Sequence, residues 1–510
     1  MDAVTLARWQ FGITTVYHYL FVPITIAMSM LVAILQTVWV KTGQDRFLQL
    51  TKFFGKLFLI NFALGIVTGI VQEFQFGMNW SEYSRFVGDI FGAPLALEAL
   101  LAFFLESTFI GLWIFGWDRL PKKVHLATIY AAAFGTMLSA VFILAANSWM
   151  QNPVGSVFNA ETGRAEIDGV SGFLALFSNP VFLATFPHTI AAAYMVGGGV
   201  VAGVSFWHLA RLNKQIADGV ATDEENHVAS WRWASKLGAW VLLISGLFVV
   251  ITGDMQSKAM TEAQPMKMAA AEGLFDTETN ASFSVLTIGA LDGRSGVHLI
   301  RVPGLLSILA GHDTVQGIND LEEQYRTEGF RMNDGSQQAL QAAVAAAIER
   351  GEISPDIERS FMDLDPVPNV AISYWTFRLM MGAGFAAMGI AAVMLLWLRK
   401  GRNPKPAWWL TLGVWGLPLL PLAGNSFGWI FTEMGRQPWI VAGVLPTATA
   451  VSPTVSPSAV IFSMVVYTLL YGGLAVLELW LFLKYTKAGL PEVQKVEVVD
   501  DPDQPMSFAY

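Results

Sequence analysis

The residues best suited to chemistry in this 510-residue chain lie where charge is costly. Glu433 closes an apolar run and is followed by Gly435, Arg436 and Pro438, so it reads as a carboxylate just inside the exit of a membrane helix. A carboxylate there marks a functional site by default. The structural alternative is a local Glu433–Arg436 ion pair that anchors a helix end. His18, Glu98, Glu106, His188 and Met380 also fall within apolar runs. They are metal-ligand and proton-carrier types, although a membrane His also serves as an interhelical hydrogen-bond partner and a Met as packing. The remaining histidines, His125, His208, His227, His298 and His312, fall in loops or at inner helix ends.

Composition narrows the chemistry. The chain is 54% hydrophobic and 14% charged, with a mean hydropathy of +0.48, which describes a polytopic membrane protein. Its net charge of -9 argues against nucleic acid as a partner. With no Cys there are no disulfides, no Cys-held iron–sulfur clusters and no covalently attached haem. A redox centre would have to be held by His, Met or carboxylate.

Runs long enough to span a bilayer fall near residues 13–40, 53–75, 93–116, 124–149, 180–210, 233–252, 372–398, 407–433 and 459–484. The expected fold is an all-α integral membrane protein with nine transmembrane helices, the first retained and not cleaved as a signal. Lys and Arg gather in loops 41–52, 117–123, 211–236 and 399–406, while 76–92, 150–179 and 434–458 are poor in them. The positive-inside bias then puts the N-terminus outside and the C-terminus in the cytoplasm. The domain plan is six helices over 1–252, an outer loop over 253–371, three helices over 372–486 and a tail over 487–510. Within the loop, Ser336–Arg350 reads as a surface helix and Asp365–Pro368 marks the return to the membrane. The acidic stretch Glu492–Asp503 reads as a solvated tail.

With that topology and a rise of about 1.5 Å per residue, His18, Glu98, His188, Met380 and Glu433 all reach the outer third of the membrane. Glu98 and Glu106, eight residues apart on one helix, should be separated by about 12 Å and about 80°. Glu106 is the deeper, and with Ser107, Ser139 and Asn147 it is a candidate for a proton route from the inner face. Trp429 shares a helix face with Glu433.

Several stretches together resemble subunit I of the cytochrome bd quinol oxidases. They are Thr15-Val-Tyr-His18-Tyr-Leu-Phe-Val-Pro23, Phe91-Gly-Ala-Pro-Leu-Ala-Leu-Glu98 with Phe103-Phe-Leu-Glu106, Phe186-Pro-His188-Thr, Trp375-Thr-Phe-Arg378-Leu-Met380, and Glu433-Met-Gly-Arg436-Gln-Pro-Trp439. The resemblance covers about three quarters of the chain. It implies two haem b groups and one haem d: His18 as ligand of haem d, His188 and Met380 as ligands of low-spin haem b, and Glu433 as ligand of high-spin haem b. Glu98 and Glu106 would lie near the high-spin pair, and Trp429 between haems or in the packing. Gly253-Asp254 and Gln264-Pro-Met-Lys267-Met-Ala-Ala-Ala-Glu272 resemble the start of the family's quinol-binding loop, the Q-loop, with Lys267 and Glu272 as residues of quinol oxidation. That loop carries no clear long insertion.

The implied activity is quinol oxidation outside, oxygen reduction to water with protons from inside, and charge separation without a pumping step, in a bacterial cell membrane. The implied partners are quinol, O2, the lipid bilayer, a second membrane subunit (subunit II) and small accessory subunits. The rival from another class is an ion-coupled secondary transporter using Glu98, Glu106 and Glu433. Against it, no internal repeat is visible and the ionisable set lies off-centre.

Overall fold

A computed structural model describes residues 2–159, 162–223, 226–289, 295–328 and 364–492. The expected surface helix at Ser336–Arg350 and nearly all of the acidic tail lie outside these residues. In chain order the helices are α1 (Ala3–Tyr19), α2 (Phe21–Thr42), α3 (Asp45–Met78), α4 (Ser81–Phe86), α5 (Gly88–Leu97), a π-helical turn (Glu98–Phe103), α6 (Phe104–Phe115), α7 (Lys122–Gln151), α8 (Gly169–Ser178), α9 (Pro180–Ala217), α10 (His227–Ala263) and α11 (Pro265–Glu272). There follow α12 (Leu305–Ala310), α13 (Ile318–Glu328), α14 (Val370–Leu398), α15 (Trp408–Gly435) and α16 (Pro457–Ala488).

Eight stretches among the described residues are long and apolar enough to cross a membrane: α1–α2 together, α3, α5–α6 together, α7, α9, α10, α14 and α16. The span expected over 407–433 is the 28-residue α15, which falls outside that set. Its tryptophans, Pro418, Pro421, Asn425 and Ser426 dilute its apolar character. The span expected to stop at 252 continues to Ala263, because polar residues beyond it still suit a helix; Lys258 reaches back to Asp254 at 2.7 Å.

Proline places the first break. Pro23 has no N–H to donate to the carbonyl of Tyr19, four residues earlier, and the helix is interrupted at Leu20, next to His18. Close packing rests on α9, whose consecutive glycines face three helices. A methyl at Gly197 would lie 2.4 Å from Ala27 of α2, one at Gly198 2.7 Å from the backbone of Leu242 in α10, and one at Gly199 2.1 Å from the Leu417 carbonyl of α15. Such approach lets backbones meet where lipid supplies no hydrophobic drive. The largest core gathers Leu31, Leu35, Phe54, Phe58, Trp113 and Leu242, among others, from the α2, α3, α6 and α10 faces.

At the end opposite the basic loops, short elements cap the bundle. Antiparallel β1 (Ser156–Asn159) and β2 (Arg164–Ile167) pair beside α8. In the loop after α10, β3 (Glu278–Thr279) pairs with β6 (Thr314–Val315), and β4 (Phe283–Gly289) with β5 (Gly296–Val302). Then β7 (Trp439–Val441) pairs with β8 (Leu445–Pro446) after α15. Met268, Ala271, Leu274, Phe283 and Leu306 of the loop pack with Phe377 of α14 and Phe431 of α15, so the loop is seated on the helices.

Candidate functional site

His18 and His188 are held alike. His18 Nδ1 lies 2.9 Å from Thr68 Oγ1 on α3, and His188 Nδ1 lies 3.1 Å from Thr252 Oγ1 on α10. Glycine follows each threonine: a methyl at Gly69 would come within 3.2 Å of His18 Cε1, and one at Gly253 within 3.4 Å of His188 Cε1. Each ring therefore uses one nitrogen on a neighbouring helix. Met380 places its sulfur against α15, where a methyl at Gly428 would lie 2.9 Å from Sδ. Next to His18, Tyr19 stacks on Trp429, ring centroids 5.2 Å apart, which joins α1 to α15, the helix that carries Glu433.

The carboxylates each contact α7. Asn147 donates to Glu433 Oε1 at 3.1 Å, and Ser139 donates to Glu98 Oε1 at 2.6 Å. A methyl at Gly135 would meet Glu106 Cγ at 2.9 Å. Gly135 and Ser139, four apart, share a face of α7, and Asn147, eight further on, is turned about 80° from Ser139. Along α7 the contact residues Ser139 and Asn147 are about 12 Å apart, and Gly135 and Ser139 about 6 Å. One expectation changes: Glu98 and Glu106 are not turned about 80° apart. The π-helical turn that begins at Glu98 adds about one residue to a turn. Eight residues then rotate like about seven, which returns Glu106 to nearly the same face, within about 20°. The expected grouping also changes. Ser139 and Asn147 serve Glu98 and Glu433, and Ser107 donates to its own helix, at the Phe103 carbonyl.

Lys267 and Glu272 of the loop are both buried, at 5% and 2% exposure. Lys267 Nζ donates to the Thr432 carbonyl at 2.9 Å and to Gln151 Oε1 at 3.2 Å, so it reaches the residue before Glu433 and the end of α7. Burial pushes its ammonium pKa down to about 7, assisted by the Arg436 charge and opposed by Glu433. Glu272 pairs with Arg378 at 2.6 Å, two residues before Met380. Arg378 also donates to the Ser284 carbonyl at 2.9 Å and to the Ala271 carbonyl, and its guanidinium lies 4.0 Å over the Tyr374 ring. Burial raises the Glu272 carboxyl pKa, and Arg378 opposes the rise. The Glu433–Arg436 pair is present. Arg436 Nε and Nη1, the Trp429 indole N–H and Glu272 Oε1 are buried polar atoms without a partner among the described residues. Such atoms are rare in native proteins and point to a group that completes them.

Comparison with known proteins decides the family. The pattern defining cytochrome bd terminal oxidase subunit I matches residues 6–490. The chain belongs to that family. It is 41% identical over 493 residues to a Bacillus subtilis protein named cytochrome bd ubiquinol oxidase subunit 1, covering 96% of this chain and 94% of the relative. It is 36% identical over 524 residues to the Escherichia coli K12 cytochrome bd-II ubiquinol oxidase subunit 1, covering 97% and 98%. Among solved structures, the bd oxidase from Geobacillus thermodenitrificans superposes with a TM-score of 0.76 at 26% identity, over 96% of this chain and 99% of that one. A terminal-oxidase family leaves no place for the transporter reading.

Sequence reasoning missed several residues of this bd-family site. Thr68 and Thr252 are ordinary in apolar helices, and their only signal was the glycine after each. Gln151 ties the loop to α7 by accepting from Gln264 at 2.7 Å as well as from Lys267. Ser284, whose carbonyl serves Arg378, also has its hydroxyl 3.1 Å from Tyr374 Oη and 3.0 Å from His298 Nδ1. Glu73 of α3 lies within electrostatic reach of Glu98.

Proposed function

We propose that this chain is the haem-bearing subunit of a quinol:oxygen oxidoreductase in a bacterial cell membrane. The observation that carries the reading is that the family match runs from 6 to 490 and that the four ligands the resemblance implies, His18, His188, Met380 and Glu433, each lie in a helix of the bundle. In this reading α15 is the eighth of nine membrane helices, the loop between α10 and α14 is extracytoplasmic, the N-terminus is outside and the C-terminus cytoplasmic. His188 and Met380 hold low-spin haem b, Glu433 holds high-spin haem b and His18 holds haem d.

The residues fit these groups. The imidazoles of His18 and His188, the thioether of Met380 and the carboxylate of Glu433 are groups that would hold haem iron. The bare donors of Arg436 and Trp429 suit an anionic haem edge. When bound, the haems relay electrons from quinol and bind oxygen. The protein's own residues manage position and protons. Glu272, held by Arg378 with one oxygen bare, is the acceptor for a quinol proton at the loop. Lys267 ties that loop to the Glu433 turn. Glu106 and Glu98, about two turns apart on one helical stretch and both in contact with α7, hand protons outward from the cytoplasmic side. Charge then crosses the membrane with no pumping step. Subunit II and small accessory subunits complete the complex, and quinol and O2 are its substrates.

The test is the purified complex. Its reduced-minus-oxidised spectrum should contain one low-spin haem b, one high-spin haem b and haem d, and quinol should drive oxygen uptake. A complex without haem, or one that ignores quinol, contradicts the reading.

A further inference from the structure

Two helices that carry no proposed iron ligand meet the two ligand-type histidines with the same dipeptide, Thr68-Gly69 on α3 and Thr252-Gly253 on α10. The direction of each hydrogen bond follows from counting hydrogens. A threonine hydroxyl has one. Thr68 donates its hydrogen to the Gly65 carbonyl at 2.9 Å, and Thr252 donates to the Phe248 carbonyl at 2.7 Å. Each Oγ1 is then left with lone pairs alone, so it accepts, and the histidine Nδ1 carries the proton. The Val249 carbonyl, which can only accept, also faces the His188 ring. With Nδ1 protonated, Nε2 of each neutral imidazole is the bare lone pair. The glycines leave the rings room, and Tyr471 of α16 donates to the Thr68 carbonyl at 3.0 Å, which braces that threonine.

We propose that Thr68 and Thr252 are positioning residues: their hydroxyls hold His18 and His188 in the Nδ1-protonated tautomer and in one ring orientation, presenting Nε2 to iron. This rests on the reading that both histidines are haem ligands. A hydrogen bond at the far nitrogen makes an imidazole a stronger donor, and losing it costs about 10- to 100-fold in metal affinity in comparable sites.

The experiment uses the whole oxidase complex with Thr252→Val and Thr68→Val, which keep the shape and remove the acceptor, and with Thr252→Ser and Thr68→Ser, which keep the acceptor. Thr252→Val should raise the midpoint potential of low-spin haem b, since a weaker donor stabilises ferric iron less. It should also release haem to an apo-globin acceptor about 10- to 100-fold faster. Thr68→Val should lower the iron–histidine stretching frequency of haem d in the Raman spectrum. The serine variants should stay close to the parent. Where a valine variant does not assemble, the alanine variant, which adds no bulk, is read the same way. Parent-like potential, stretch and haem retention in the acceptor-free variants overturn the proposal, as does equal damage in the serine variants, which would assign the effect to the methyl group. Failure of the underlying reading looks different: His188→Ala would then keep the low-spin spectrum.

Discussion

Helix α11 carries a carboxylate–arginine pair near each end, and the two pairs are built differently. At its C-terminal end Glu272 meets Arg378, with side-chain exposures of 1% and 8%. Arg378 is saturated by Glu272, by the Ser284 and Ala271 carbonyls and by the Tyr374 ring, and the bare atom is a carboxylate oxygen. At its N-terminal end Lys267 reaches the turn of Glu433 and Arg436. There the carboxylate is the better satisfied partner, by Asn147 and Arg436, while two guanidinium nitrogens are bare. A closed arginine with a spare carboxylate oxygen suits proton acceptance. A satisfied carboxylate beside bare cationic donors suits a ligand next to an anionic group. In the proposed reading the same two residue types serve two chemistries, separated by what else each partner touches.

Breaking the closed pair should cost most. Arg378→Leu leaves the Glu272 carboxylate buried and alone, so it should destabilise the seat of the loop by about 3–5 kcal/mol. Limited proteolysis of the loop and thermal unfolding would show this, with quinol oxidation lost. Arg378→Met combined with Glu272→Met should recover most of the stability and none of the turnover. If the double variant oxidises quinol normally, the pair is structural only. At the other end, Glu433→Ala should remove high-spin haem b and disturb haem d while the loop stays protease-resistant. Full haem content with normal activity would leave Glu433 as an anchor for Arg436.

The contrast between these ends was half legible in the sequence. The run from Glu433 to Trp439 announced itself by setting a carboxylate and an arginine around a Gly and a Pro at the end of an apolar helix, and the structure keeps that pair. Most membrane helices were legible because apolar runs of that length have few other fates. The buried seat of Lys267 was not legible, because only the Thr432 carbonyl and Gln151, more than a hundred residues away in sequence, account for it. The common face of Glu98 and Glu106 was invisible because α-helical geometry was assumed through a stretch that forms a π-turn. Pro23 and the break beside His18 could have been read, since a proline four residues on removes a specific backbone bond.

Smaller effects sharpen the account further. Glu106→Gln keeps the size and packing against Gly135 and removes the exchangeable proton. Haem content should survive, and oxygen reduction should slow, with electrons held on the haems after mixing with oxygen. Parent turnover across pH would take Glu106 off the proton route, and loss of haem d would make its role structural. The subtlest effect is at Lys267. Its pKa is about 7 in the folded protein against 10.5 for the ordinary side chain. Between those values the unfolded chain holds the extra proton, so stability should rise as pH rises from about 7 towards 10. Lys267→Met should flatten that rise in thermal unfolding measured across pH. An unchanged slope would mean that the lysine stays charged in its buried seat.

The most direct test of the central claim is the dithionite-reduced spectrum of the complex carrying His188→Ala or Met380→Leu. The account predicts that either change removes the low-spin haem b signal and abolishes quinol oxidation. A normal low-spin signal in either variant would contradict the assignment of that residue, and a normal signal in both would remove the iron site on which the electron path depends.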